Sequence, residues 1–170
     1  PDDAALEVAG YILSGAKNSR LIQRLVYNDQ TASSVNAGPD AKRLAGEFGV
    51  IATARPGHAL PELQRAIDDE LRKLADQGPT DRELQQARNS IEASFIRRIQ
   101  TVQGKADQLN RYYYETGVPD GFQHDLDQLR AVTADDIKRV VSRYLIGPRA
   151  IVSVVPQGKR ELAAVRRVTP

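Results

Sequence analysis

Two histidines, His58 and His124, are the side chains of this sequence best suited to metal ligation or proton transfer, and their placement disfavours both roles. They stand far apart, each without a second histidine at the helical spacing a metal pair uses, and neither HxxEH nor HExxH occurs. His58 follows Pro56-Gly57, a turn signal, and reads as a loop residue; His124 reads as the surface of a helix. With no cysteine there is neither a thiolate ligand nor a sulfur nucleophile. GxSxG is absent, and Gly15-Ala16-Lys17 lacks the upstream glycine spacing of a phosphate-binding loop. The acidic clusters Asp68-Asp69-Glu70 and Asp135-Asp136 could do acid–base work, but they read as a solvent face and a helix cap. Successive helical positions diverge by about 100°, so Tyr112-Tyr113-Tyr114 cannot present one stacking surface. The expectation is a chain with no catalytic residue, no metal ligand and no cofactor of its own.

At 170 residues the chain has the length of one domain, and 41% apolar against 27% charged residues fits a globular core. A pI near 9.0 invites a nucleic-acid reading, which the distribution of charge removes. Residues 1–78 carry net −2 and residues 79–170 net +4, while Arg97-Arg98, Lys159-Arg160 and Arg166-Arg167 are isolated pairs. Phosphate surfaces gather more cations, with stacking aromatics among them, so no nucleic-acid partner is expected. No apolar run approaches the roughly 20 residues of a membrane span. Pro1-Asp2-Asp3 is acidic where a signal peptide would be basic, and a cysteine-free chain suits bacterial periplasm and cytoplasm equally.

The elements that would position these residues are mostly helical. Leu6, Ala9 and Leu13 share a face after Asp3 as N-cap, and Ser14-Gly15 interrupts it. A second amphipathic piece runs from about Ser19 to Asn28 with Leu21 and Leu25 inward. Residues 32–37 read as a strand closed by the turn signal Gly38-Pro39-Asp40, and residues 48–54 as its hairpin partner. Pro61 opens a helix, Gly78-Pro79 ends it, and Thr80-Asp81-Arg82-Glu83 matches a capping box that starts another. Leu84, Ala87, Ile91, Phe95, Ile99 and Val102 extend that helix to about Thr101, with Gly104 ending it. Leu109 and Tyr112-Tyr113 fit a further helix, and Phe122, Leu126 and Leu129 a short one. Thr133 caps the last helix, and the β-branched run 150–155 reads as a third, buried strand before a polar tail at 157–170. The fold class expected is α+β: two layers, a mixed or antiparallel sheet with helices on one face. Three strands are few for so many helices, so opening strands are expected to be missing and the chain to be part of a larger unit.

The order of these signals resembles the zinc peptidases of the pitrilysin/insulinase type and their relatives, the mitochondrial processing peptidase subunits. Ala5 through Gly15 with Asn18-Ser19-Arg20-Leu21-Ile22-Gln23-Arg24-Leu25 is similar to that family's "iLsgg.sSRLyqrL" helix pair. Ala32-Ser33-Ser34-Val35-Asn36-Ala37 stands at its "AysvsA", and Gly46-Glu47-Phe48-Gly49-Val50 through Pro56-Gly57 at its "G.f.i.a...pg" strand. Gly78-Pro79-Thr80 through Arg88 is similar to "Gpt..EL..ak", and Val132-Thr133-Ala134-Asp135-Asp136-Ile137 with Arg143-Tyr144-Leu145 to "vTaedi..va.kyl". The resemblance implies a two-layer fold of the processing-peptidase (LuxS-like) type, with residues 1–156 as one C-terminal-half domain and 157–170 as a tail. Such peptidases enclose a chamber between two homologous halves, and the zinc motif HxxEH lies in the first. By this resemblance the chain is the second, non-catalytic half, joined after its opening strands. It would form chamber wall and peptide-substrate surface, with zinc belonging to the parent protein. Its partners would be an N-terminal zinc-binding half or a paired homologous subunit, and a peptide substrate. The alternative is a structural or assembly subunit without catalysis. Many members carry an Arg and, seven residues on, a Tyr that hold substrate; those positions are Val26 and Ser33, which supply neither cation nor phenol. Arg24 and Tyr27 point in other directions on a helix and are not taken as substitutes.

Overall fold

The computed structural model describes residues 2–41 and 45–164. Helix α1 (Asp2–Gly10) runs directly into a wider π-helical turn (Tyr11–Gly15), and the three-and-four spacing buries Ala5, Val8, Ala9, Ile12 and Leu13 on one side. A second π-helical segment, Ile22–Asn28, follows, with Leu21 and Leu25 fully buried as expected. Strands β1 (Ala32–Ala41) and β2 (Gly46–Ala54) pair antiparallel, with Val35 opposite Ala52, Ala37 opposite Val50, and a bulge between Ala32 and Ser34.

The hairpin is the one expected, but Gly38-Pro39-Asp40 does not close β1. All three lie inside the strand, with Pro39 opposite Phe48. A proline donates no ladder bond, so it is tolerated on an edge strand, which β1 is. Residues 42–44, between the two strands in sequence, lie outside the described residues. The outer edge of β1 is covered instead by α1 and the turn after it. A Cβ on Gly10 would stand 2.9 Å from the Cα of Gly38, so only glycine permits this approach. Ser14 acts there as a one-residue strand partner: its Oγ accepts from the Ala37 amide at 2.6 Å and donates to the Ala37 carbonyl at 3.1 Å.

The helical half begins at α2 (Leu60–Gln77), with Pro61 in its first turn and Leu63, Leu71 and Leu74 buried. Gly78, at φ 74°, ends it, and α3 (Asp81–Arg98) starts behind a complete capping box at Thr80 and Glu83. Replacing Thr80 with alanine removes the acceptor of the Glu83 amide and should cost about 0.5–2 kcal/mol in urea unfolding. A variant as stable as the parent would show that the cap contributes nothing. Helix α3 stops at Arg98 rather than Thr101, and Gly104 is not a terminator. Thr101 caps α4 (Val102–Thr116) by accepting the Gly104 amide at 3.0 Å, so the further helix expected around Leu109 and Tyr112 begins at Val102 instead of after Gly104, and Val102 is 87% exposed. Helix α5 (Phe122–Ala131) buries Leu126 and Leu129. Helix α6 (Ala134–Val140), boxed by Thr133 and Asp136, continues into a π-helical turn (Val141–Leu145). Asp2 at the start of α1 accepts from Tyr144 Oη at 2.7 Å and Arg139 at 2.9 Å, tying first helix to last.

The helices pack on one side of the hairpin. Val35 and Ala37 enter the core with Leu13, Leu21, Leu25, Leu74, Ile137 and Val140, while Ile51 on the opposite face is 74% exposed. The third strand expected at 150–155 is not formed: the sheet among the described residues has two strands and is open. Val152 and Val154 are 86% and 89% exposed, the reverse of a buried strand. β-Branched residues favour a pleated surface only where a neighbour supplies a ladder and a packing face, and this segment has neither here. A 3-10 turn, Arg160–Leu162, lies within the expected tail, whose residues 165–170 are outside the described ones. No described helix is long and apolar enough to cross a membrane.

Candidate functional site

His58 Nδ1 lies 3.2 Å from Glu62 at the start of α2, and His124 Nε2 lies 2.7 Å from the Gln128 amide on α5. Among the described residues no three His, Asp or Glu side chains converge as a metal site, so the residues present do not fit a catalytic zinc. Tyr112 is buried and donates to Asp125 at 2.7 Å; burial, then the Asp125 carboxylate, push its phenol well above the usual range. Tyr113 is 66% exposed, so the tyrosine run divides as helical geometry requires. Asp136 serves its cap, but the reading of residues 68–70 as a solvent face fails at Glu70, which is buried. Its position on α2 faces the second π-helical segment, and both Arg24 (3.1 Å) and Lys73 (2.7 Å) reach it.

Glu70 belongs to an open polar cleft of about 510 Å³ lined also by Asn18, Arg20, Arg24, Lys73 and Glu83. Arg20 grips both oxygens of Glu83 at 2.7 and 2.8 Å and also donates to the Gly78 carbonyl at 3.0 Å. Glu83 accepts the Thr80 amide as well, so one carboxylate caps α3 and anchors the π-helical segment. The Arg20 hydrogen bond holds its carboxyl down at about 2. Arg24 reaches Asp29 at 2.8 Å as well as Glu70. Each of these cations is matched by an acid, so the cleft is an ion-pair network that fixes helices, with no unpaired acid or activated nucleophile in it.

Val26 and Ser33 flank the junction between the second π-helical segment and β1. Val26 is half-buried, Ser33 is exposed, and Ser33 Oγ donates to the Thr53 carbonyl at 3.2 Å. One side chain spans this junction. Arg55, immediately after β2, donates from Nη2 to the Val26 carbonyl at 3.3 Å and from Nε to the Ala32 carbonyl at 3.1 Å. Sequence reasoning passed over Arg55 because Pro56-Gly57 behind it marks only a strand end. Its spacing to residues 26 and 32 carries no local periodic signal.

The model of the peptidase M16 inactive domain matches residues 1–91, more than half of the chain. The chain belongs to the peptidase M16 inactive-domain family. An uncharacterised zinc protease of Mycobacterium leprae is 26% identical to this M16 inactive domain over 164 residues, covering 92% of the chain and 37% of the relative. Another, of Mycobacterium tuberculosis, is 26% identical over 157 residues, covering 92% and 35%. The chain thus spans little more than a third of the length of these curated relatives. A protease from Helicobacter pylori superposes with a TM-score of 0.74 at 26% identity, over 85% of this chain and 35% of that one. The peptidase M16 inactive domain from Pseudomonas fluorescens gives 0.73 at 19% identity over 85% and 34%, a likeness of fold. The α+β arrangement read from the sequence is therefore that of an M16 inactive domain, with a two-stranded sheet among the described residues.

Proposed function

We propose that this chain is the non-catalytic wall of a zinc protease, presenting a peptide-facing surface while the zinc chemistry takes place on a half that carries HxxEH. The match of residues 1–91 to the peptidase M16 inactive domain carries this reading. It is supported by curated relatives that bear the name zinc protease, and by the absence of a convergent ligand set among the described residues. Residues 1–156 would be the working unit and 157–170 an appendage. The partner would be an N-terminal zinc-binding half or a homologous subunit, and the substrate a peptide in extended form.

The test is cleavage of a fluorogenic peptide by the HxxEH-bearing polypeptide from the same source, with and without this chain. Cleavage should rise by about tenfold or more when both are present, because the second wall positions the peptide at the metal, and chelation of zinc should abolish it. Equal cleavage without this chain would refute the role. The second reading, a structural or assembly subunit, draws on Val26 and Ser33, which offer no cation or phenol to a substrate. It predicts association with that polypeptide but no change in its cleavage rate.

A further inference from the structure

Helix α4 is held to the body along one side. Its buried residues are Gln108 and Tyr112, and Tyr112 Oη donates to Asp125 on α5 at 2.7 Å. A Cβ on Gly121 would stand 2.7 Å from the Tyr112 ring, so glycine admits the ring at the start of α5. About 100° round the helix from Tyr112 the character changes. Val102 is 87%, Leu109 51% and Tyr113 66% exposed, and Ala106 among them is exposed as well. The four-three-four spacing of these residues sets all of them on one stripe along the helix. Polar groups of α4 are engaged on its other faces: Gln103 donates to Asp107 at 2.8 Å, and Arg111 to Glu115 at 3.0 Å.

This stripe is complementary to its own reverse. Laid antiparallel on a second copy, about the midpoint between Ala106 and Leu109, it places Val102 against the partner's Tyr113 and Ala106 against the partner's Leu109. Each pair then sets a smaller residue against a larger one, as close packing of two helices requires. A parallel arrangement would set Tyr113 against the partner's Tyr113 and Ala106 against the partner's Ala106, crowding one level and leaving a void at the other. Opposed helix dipoles favour the antiparallel arrangement too, and no charged side chain falls on the seam. A two-fold contact of this kind uses the same patch twice and closes on itself.

We propose that the Val102–Ala106–Leu109–Tyr113 face of α4 is a self-association surface whose occupant is α4 of a second copy, packed antiparallel. This stands apart from the peptide-wall reading and survives its failure. One helix pair covers less than the roughly 800 Å² per partner of a standard interface, so the association is weak, with a Kd on the order of 10–100 μM.

Sedimentation velocity on the whole chain, from about 1 μM to about 1 mM, should show monomer passing to dimer across that range. Leu109→Glu, which puts a charge on the seam, should keep the chain monomeric throughout. Ala106→Leu should weaken the dimer about tenfold or more, because two leucines then meet at one level, and adding Leu109→Ala should restore it by exchanging the two sizes. All these positions are exposed in the monomer, so urea midpoints measured at a few micromolar should stay near that of the parent. A chain that remains monomeric over the whole range overturns the proposal, and that series needs no variant. So does a dimer that survives Leu109→Glu, or one that Ala106→Leu tightens, since general stickiness grows with apolar area while this register does not. Association that appears only when the HxxEH-bearing polypeptide is added would give the stripe to that half and refute the second copy.

Discussion

Leu13→Ala should lower the unfolding free energy by about 2–5 kcal/mol, the range for removing a buried leucine from a core that cannot collapse onto the void. Leu13 is fully buried where α1 turns into its π-helical continuation, in the same cluster as Leu21, Leu25, Val35 and Ala37. Collapse is resisted because Gly10 against Gly38, and Ser14 against Ala37, fix this turn on the backbone of β1. A domain of this size holds only about 5–15 kcal/mol in total, so the urea midpoint should fall steeply. Leu109→Ala is the matched control: Leu109 is 51% exposed on α4 and should cost well under about 1 kcal/mol. Similar losses for the two variants would place the core elsewhere.

Acid should act on the fold first through Glu83. Its folded pKa is depressed to about 2, chiefly by the Arg20 hydrogen bond and further by the Thr80 amide. A depressed carboxylate contributes stability that is complete above its ordinary value near 4.5 and is lost as pH falls toward about 2. The Glu83 contribution should therefore disappear between about pH 5 and 2, amounting to up to about 3 kcal/mol before screening at this partly exposed pair. Asp136 and Asp2 add to the same acid limb, since the hydroxyls of Thr133 and Tyr144 respectively are the main cause of their lowered pKa. Glu83→Gln should flatten the stability profile over that window while lowering stability at pH 7. An unchanged slope in the variant would show that the Arg20–Glu83 bridge is not what acid breaks.

What could be read without coordinates was local chemistry. Thr80 with Glu83 and Thr133 with Asp136 satisfy orphan amides within one turn, so their caps are written in four consecutive residues. The resemblance to the zinc peptidases rested on the order of such segments, and residues 1–91 match the inactive-domain model of the same family. Readings that depended on distant partners went astray. The β-branched run at 150–155 needs a ladder that the described residues do not provide, and Gly38-Pro39-Asp40 is a turn by composition but a strand by pairing with Phe48 and its neighbours. Gly104 punctuates a helix start because Thr101 reaches it, a contact that glycine's reputation as a terminator conceals. Glu70 and Arg55 were missed for the same reason. One is buried against another element, the other bonds to carbonyls more than twenty residues away, and neither relation has a period in sequence.

Calorimetric titration of Zn²⁺ into the purified chain tests most directly whether zinc chemistry lies off this polypeptide. His58 and His124 pair with Glu62 and Gln128 on different helices, and no third ligand joins either among the described residues. The result predicted is no saturable uptake, only weak and non-stoichiometric heats. Tight uptake of one zinc per chain, abolished by His58→Ala or His124→Ala, would contradict it.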